Sequence, residues 1–241
     1  MCVRSLLILV TVALFGPPSA MAEVRSADTT WLIDYVDTVP ALVLREPFLE
    51  LLGQTKGPIS YTFEEAVKAS GHACGAVAGA WIITRKALET LYPSTLPVRG
   101  QIKVIMPGAR DEWFVGVFGQ VISNITGAAP ETGFPGAELG AAYNRRNLMV
   151  YPNEPSGTPP PKMLWIFERI DTGAKVAIRY DLSKVKPPAT PERNELGAKV
   201  ARGLADAEEV KNWQTYWNAR VKFVFDNADT LPGLFTIEKL K

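Results

Sequence analysis

Residues 70–81 read SGHACGAVAGAW and hold His72, the chain's only histidine, two positions before Cys74, one of only two cysteines. An imidazole and a thiolate at that spacing are both ligands for zinc or another borderline divalent metal. A helix is expected to open at Gly75. Its amino end would present free N–H groups and the positive end of the dipole to Cys74, which favours the thiolate. A structural zinc site takes four ligands and a catalytic one about three. The remaining positions must therefore come from an acidic side chain, solvent, a cofactor or a second subunit. The competing reading of the pair is a small buried cysteine beside a hydrogen-bonded histidine.

The elements that would carry this pair are legible nearby. Residues 59–63 alternate enough for a short strand, and Thr62 followed by Glu65 forms a capping box opening a helix over 63–69. Gly71 breaks that helix. The next should run over 75–91, stopped by Pro93, and its first turns are nearly all small: Gly75, Ala76, Ala78, Gly79 and Ala80. Such a face admits either a closely packed neighbour or a ligand. Residues 101–106 read as a strand, and 113–117 as a strand or the start of a helix reaching 125. Residues 128–143 are a Gly-, Ala- and Pro-rich loop of the length that is often functional.

Residues 163–170 and 175–180, joined by Asp171-Thr172-Gly173, make the clearest hairpin, and 147–151 is strand-like. The insert 152–161 should be an exposed extended loop. After a Pro-rich linker at 186–194, helices are expected near 195–204 and 207–225, the second capped by Asp206 with Glu209. Trp213, Tyr216, Trp217, Val221 and Val224 recur there at helical spacing, the pattern of a face packed on a core.

Residues 1–22 have a basic start at Arg4, an apolar core over 6–15 and a small-residue cleavage site at Ala20-Met21-Ala22, the layout of a secretory signal. The apolar run is too short to span a bilayer, and no other segment is long and apolar enough. The expected product is periplasmic or secreted, with no membrane span after signal cleavage. It would carry Cys74 as its single cysteine, so no intramolecular disulfide can form. With 26 Lys and Arg against 25 Asp and Glu, the charge is near zero, which argues against a nucleic-acid partner.

Several segments together carry a family likeness. ASGHACGAVAGAW resembles the H-G-H-x-C-P-G signature of the FmdE family, named for the E-subunit of formylmethanofuran dehydrogenase. FGQVISNITGA is similar to that family's D-A-I-Q-x-x-T-G-C segment, and WIFERIDTGAKVAIRYDL to its strand–T-G-K-x-x-R-V hairpin. ADAEEVKNWQTYWNARV resembles the helical tail of many members. The likeness runs in order over roughly residues 60–225 and implies an α+β domain, an antiparallel sheet packed with helices, often dimeric, with a metal held by histidine and cysteines. Ser70 stands where the family has its first histidine, and Gly75 where it has proline. Phe114, Val117 and Ala128 replace a cysteine, an aspartate and a second cysteine. His72, Cys74 and Gln120 carry over as site residues, and Ser70, Asp111, Glu112 and Glu131 are polar candidates for a remodelled shell.

The resulting organisation is a signal at 1–22, an N-terminal extension at 23–58, an FmdE-like α+β domain at 59–186 and a helical C-terminal segment at 187–241. Three functions compete. The first is an accessory or carrier protein holding a metal ion, zinc by default, or a metal cofactor through His72 and Cys74. Haem fits this class, since the Trp- and Gly-rich surroundings could line a flat apolar pocket. The second is a metal-dependent enzyme, or one using Cys74 as nucleophile. His72 is poorly placed as its base, so an acid such as Glu112 would have to serve. The third is a non-catalytic family remnant acting through a protein partner at the aromatic C-terminal helix. A homodimer is compatible with all three.

Overall fold

In a computed structural model, the described residues are 31–112, 114–137, 139–152 and 162–241. The signal at 1–22 and nearly all of the insert at 152–161 lie outside them. Contacts divide the chain into Met1–Leu32 and Ile33–Lys241, and the second unit carries every element named below.

The chain order is α1 (Tyr35–Thr38), β1 (Leu42–Leu44), α2 (Pro47–Leu51), β2 (Ile59–Tyr61), α3 (Phe63–Ser70), α4 (Gly75–Leu91), β3 (Ile102–Ile105), α5 (Val115–Thr126), β4 (Met149–Val150), β5 (Lys162–Arg169), β6 (Lys175–Asp181), α6 (Pro191–Ala201), α7 (Ala207–Asn227) and β7 (Phe235–Leu240). Single 3₁₀ turns sit at Ala141–Tyr143 and Leu182–Lys184. The fold is α+β. A sheet of order β4-β3-β5-β6-β7 is antiparallel except for the β3–β4 pair, and β1 pairs with β2 apart from it.

Local chemistry explains most boundaries. Thr62 and Glu65 exchange both bonds of a capping box at the start of α3, and Asp206 and Glu209 do the same for α7. Gly71 ends α3 at φ 73°, a left-handed conformation that glycine adopts without Cβ strain. The hairpin pairs Met163 with Tyr180 and Phe167 with Val176. Its alternate residues Met163, Trp165, Phe167, Val176, Ile178 and Tyr180 are buried.

Helices α4 and α5 cover that apolar face. Phe118 of α5 stacks on Trp165 with ring centroids 4.4 Å apart. The small face of α4 receives Tyr180. A Cβ added at Gly79 would lie 2.2 Å from the Tyr180 ring, and Tyr180 donates its hydroxyl hydrogen to the Gly75 carbonyl at 3.1 Å. Of the two readings of that face, the packed neighbour is the observed one. On the other flank Phe63 sits edge-on to both Trp81 and Phe225, joining α3, α4 and α7.

The segment after residue 186, for which only a linker and two helices were expected, also holds β7, which pairs with β6 from Lys175↔Leu240 to Tyr180↔Phe235. As an edge strand it leaves most of its side chains in solvent, so it lacks the alternation that would announce it. Glu46, ahead of residue 59, is also tied in. Glu46 is 3 % exposed and accepts bonds from Arg145, itself 3 % exposed, at 2.5 Å and from Arg99 at 2.7 Å. Cβ atoms added at Gly100, Gly127 or Gly136 would strike the Arg145 side chain. Those three glycines make the channel that lets a guanidinium lie inside the protein, with Glu46 as its counter-charge.

Candidate functional site

Residues 71–74 form the joint between α3 and α4. Gly71 turns the chain out of α3, and Cys74, extended at φ −148° and ψ 173°, is the N-cap of α4. His72 projects from the joint with an exposed ring. Its Nδ1 lies 3.0 Å from the Ser70 carbonyl oxygen. A carbonyl only accepts, so Nδ1 carries the hydrogen in this bond, and Nε2 is the ring nitrogen left to meet a ligand. A backbone carbonyl on one ring nitrogen is the arrangement that orients metal-ligating histidines and raises their basicity.

Cys74 is half-buried beneath the same joint. Its Sγ accepts the Val77 N–H at 3.4 Å, the ordinary bond of a capping side chain. Burial pushes the thiol up, outweighing the opposite pull of the Val77 and Ala76 N–H groups. Without a metal, the helix end therefore does not lower the Cys74 thiol below its ordinary range. The helix-end argument is local, whereas desolvation by the surrounding fold disfavours the anion.

The remaining candidates are dispersed in role. Ser70 contributes its carbonyl to His72, while its hydroxyl oxygen is buried with no partner among the described residues. Asp111 is exposed, and Glu112 accepts the Ala109 N–H at 3.1 Å in the loop leading to α5. Gln120 is exposed on α5. Glu131 lines a separate depression of about 380 Å³ with Arg110, Thr132, Asn147 and Tyr151. Among the described residues no three His, Cys, Asp or Glu side chains gather closely enough to hold a metal ion. Of the two residues His72 and Cys74 at the joint, His72 is the one presented to solvent.

A feature that sequence reasoning missed lies beside His72. The aromatic face of α7 does turn Tyr216, Val221 and Val224 into the core, but Trp217 remains 36 % exposed and Trp213 half-buried. These two rings, 5.4 Å apart, line a groove of about 350 Å³ with Gly197, Val200 and Ala201 of α6 and Gln214 and Asn218 of α7. A Cβ at Gly197 would lie 2.6 Å from Trp213, so that glycine sets how closely α6 and α7 approach. Trp217 is anchored to the joint by its indole N–H, which donates to the Ala73 carbonyl at 2.7 Å. Its ring centroid stands 6.4 Å from that of His72, tilted by 47°. The signal available in the sequence was the Trp213/Trp217 pair one turn apart with a glycine in the preceding helix. No family profile matches the chain, and no curated protein matches it.

Proposed function

We propose that this is an exported, accessory protein, a divergent FmdE-like chain, that holds a metal ion or metal cofactor through His72. One observation carries the reading. The sole imidazole is exposed on the joint between α3 and α4, its Nδ1 bonded to the Ser70 carbonyl and its Nε2 on the far side of the ring from that bond. Cys74 caps α4 beside it, its Sγ accepting the Val77 N–H. With so few donors the centre takes its other ligands from elsewhere and keeps open positions, which suits delivery or exchange better than a structural staple.

No helix among the described residues is long and apolar enough to cross a membrane. The test is elemental analysis and absorption spectroscopy of the exported protein, purified without a histidine tag. Wild type should carry a near-stoichiometric metal centre and His72→Ala none, with unchanged thermal unfolding. Equal metal in both proteins would reject the reading.

A further inference from the structure

Residues of α1, α4 and α7 wall a cavity of about 200 Å³. Its aromatic side is Tyr35, Trp81 and Phe225, and its charged side Arg85, Lys222 and Asp226. Two donors in that wall lack an acceptor. Trp81 is 1 % exposed, and neither its indole N–H nor the buried Nε–H of Arg85 has a hydrogen-bond partner among the described residues. The two residues are one turn apart and share a face of α4. Buried polar groups are nearly always paired, so two such donors on one cavity wall point to an acceptor that the fold does not supply. The neighbouring carboxylates are engaged elsewhere. Asp229 accepts from Arg85 Nη2 at 2.7 Å and from Lys86 at 2.6 Å, while Glu89 stands 3.9 Å from Arg85 Nε, beyond hydrogen-bonding range. Asp226 meets Lys222 at 3.3 Å in an exposed pair, a contact of little strength.

We infer that this cavity binds a small organic acid, its apolar body against the Tyr35, Trp81 and Phe225 rings and its carboxylate on the Trp81 and Arg85 N–H donors. A carboxylate offers two oxygens and, when ionised, only accepts, which matches two unmet donors. Its bond to a guanidinium is charge-assisted and so stronger than a neutral one. The wall's own charges, two cations to one carboxylate, favour an anion. A volume of about 200 Å³ lies below the roughly 300 Å³ at which sites for drug-sized ligands begin. The acid is therefore no larger than a single ring or a short branched chain. An inorganic anion would meet the donors but leave the aromatic walls without a partner. Neither His72 nor Cys74 lies in this wall, so the acid would bind whether or not the joint holds a metal.

The experiment titrates benzoate, benzamide and inorganic phosphate separately into the purified ¹⁵N-labelled chain and into its Trp81→Phe and Arg85→Lys variants. The chain has six tryptophans, and the indole N–H resonance lost in Trp81→Phe is that of Trp81. Benzoate should shift this resonance saturably, bind one-to-one and raise Tm, as a native-state ligand does. Trp81→Phe and Arg85→Lys should each weaken benzoate roughly 10- to 100-fold, the loss of one hydrogen bond to a charged acceptor. Benzamide should bind about 10-fold more weakly than benzoate or worse, and phosphate should leave the resonance in place. If Trp81→Phe does not fold, backbone assignment of the wild type identifies the resonance. Arg85→Lys, which keeps a cation for Asp229, then supplies the comparison. A Trp81 resonance that benzoate does not move would mean that water alone meets these donors, and overturns the inference. Benzamide or phosphate binding as tightly as benzoate overturns the organic-acid class, and benzoate affinity unchanged in Arg85→Lys overturns the site.

Discussion

Gly79→Ala tests whether the small-residue face of α4 is there for packing. In an exposed helix interior the change should stabilise, since alanine is better than glycine by about 1 kcal/mol. Here the new Cβ would lie 2.2 Å from Tyr180 Cε1 and 2.7 Å from Cδ1. Relief to a normal carbon–carbon separation of about 3.5 Å would need a ring movement of roughly 1.3 Å. Tyr180 has little freedom to make it. The ring stacks on Phe235 of β7 at 4.6 Å and 10°, its hydroxyl is bonded to Gly75, and the side chain is buried.

Overpacking of this kind costs about 1–3 kcal/mol and occasionally more, and a ring fixed on both sides belongs at or beyond the upper end. After the propensity gain, the expected net loss is about 2 kcal/mol, or roughly 4–8 °C in Tm for a chain of this size. Urea unfolding followed by circular dichroism measures it. Pairing the change with Tyr180→Leu should cost less than the sum of the two single changes. A higher Tm for Gly79→Ala alone would refute the packing argument and return the α4 face to the ligand-facing reading.

Three further outcomes follow from the same geometry. Glu46→Ala leaves Arg145 buried without its counter-charge and should cost about 3–5 kcal/mol; a loss below about 1 kcal/mol in chemical denaturation would show that the pair is solvated. Cys74→Ser retains the N-cap with a better acceptor, so stability should hold or rise by up to about 1 kcal/mol and metal loading through His72 should persist. Loss of metal in a folded Cys74→Ser protein would show that Cys74 ligates the metal with His72. Burial raises Tyr35 and Tyr92 to about 12 and pushes Tyr180 up as well. The native state then holds these protons more tightly than the unfolded one, whose tyrosines ionise near pH 10. The stabilisation is complete below about pH 10 and lost as pH rises toward 12, so the urea midpoint should fall steadily across that window; a flat profile would contradict the assigned burial.

Features readable from the chain were those whose cause is local. The capping residues Thr62, Glu65, Asp206 and Glu209, the left-handed Gly71 and the Asp171-Thr172-Gly173 turn each act within a few residues, so spacing alone reveals them. What escaped is set across long separations. β7 pairs with β6 some sixty residues earlier and, exposed along an edge, carries no burial pattern. Arg145 reads as a surface charge until Glu46 and three glycines place it inside.

The site divides in the same way. Gly71 marked the joint that carries His72 and Cys74, but the burial that pushes the Cys74 thiol up comes from the packed fold around it. Trp217 belonged to an aromatic stripe that reads as core. It stays at the surface because its indole N–H reaches the Ala73 carbonyl, turning one edge of the ring to the joint and leaving a face over the groove.

The most direct test uses the fact that the chain has one histidine. Protein labelled with ¹⁵N only in histidine gives a single imidazole spectrum, free of assignment. At about pH 8, above the ordinary imidazole range, the metal-free protein should show Nδ1 protonated and Nε2 bare, and loading the metal centre should shift or broaden Nε2 while Nδ1–H persists. An Nε2–H tautomer, or ring resonances unchanged in the loaded protein, would contradict the claim that His72 holds the metal.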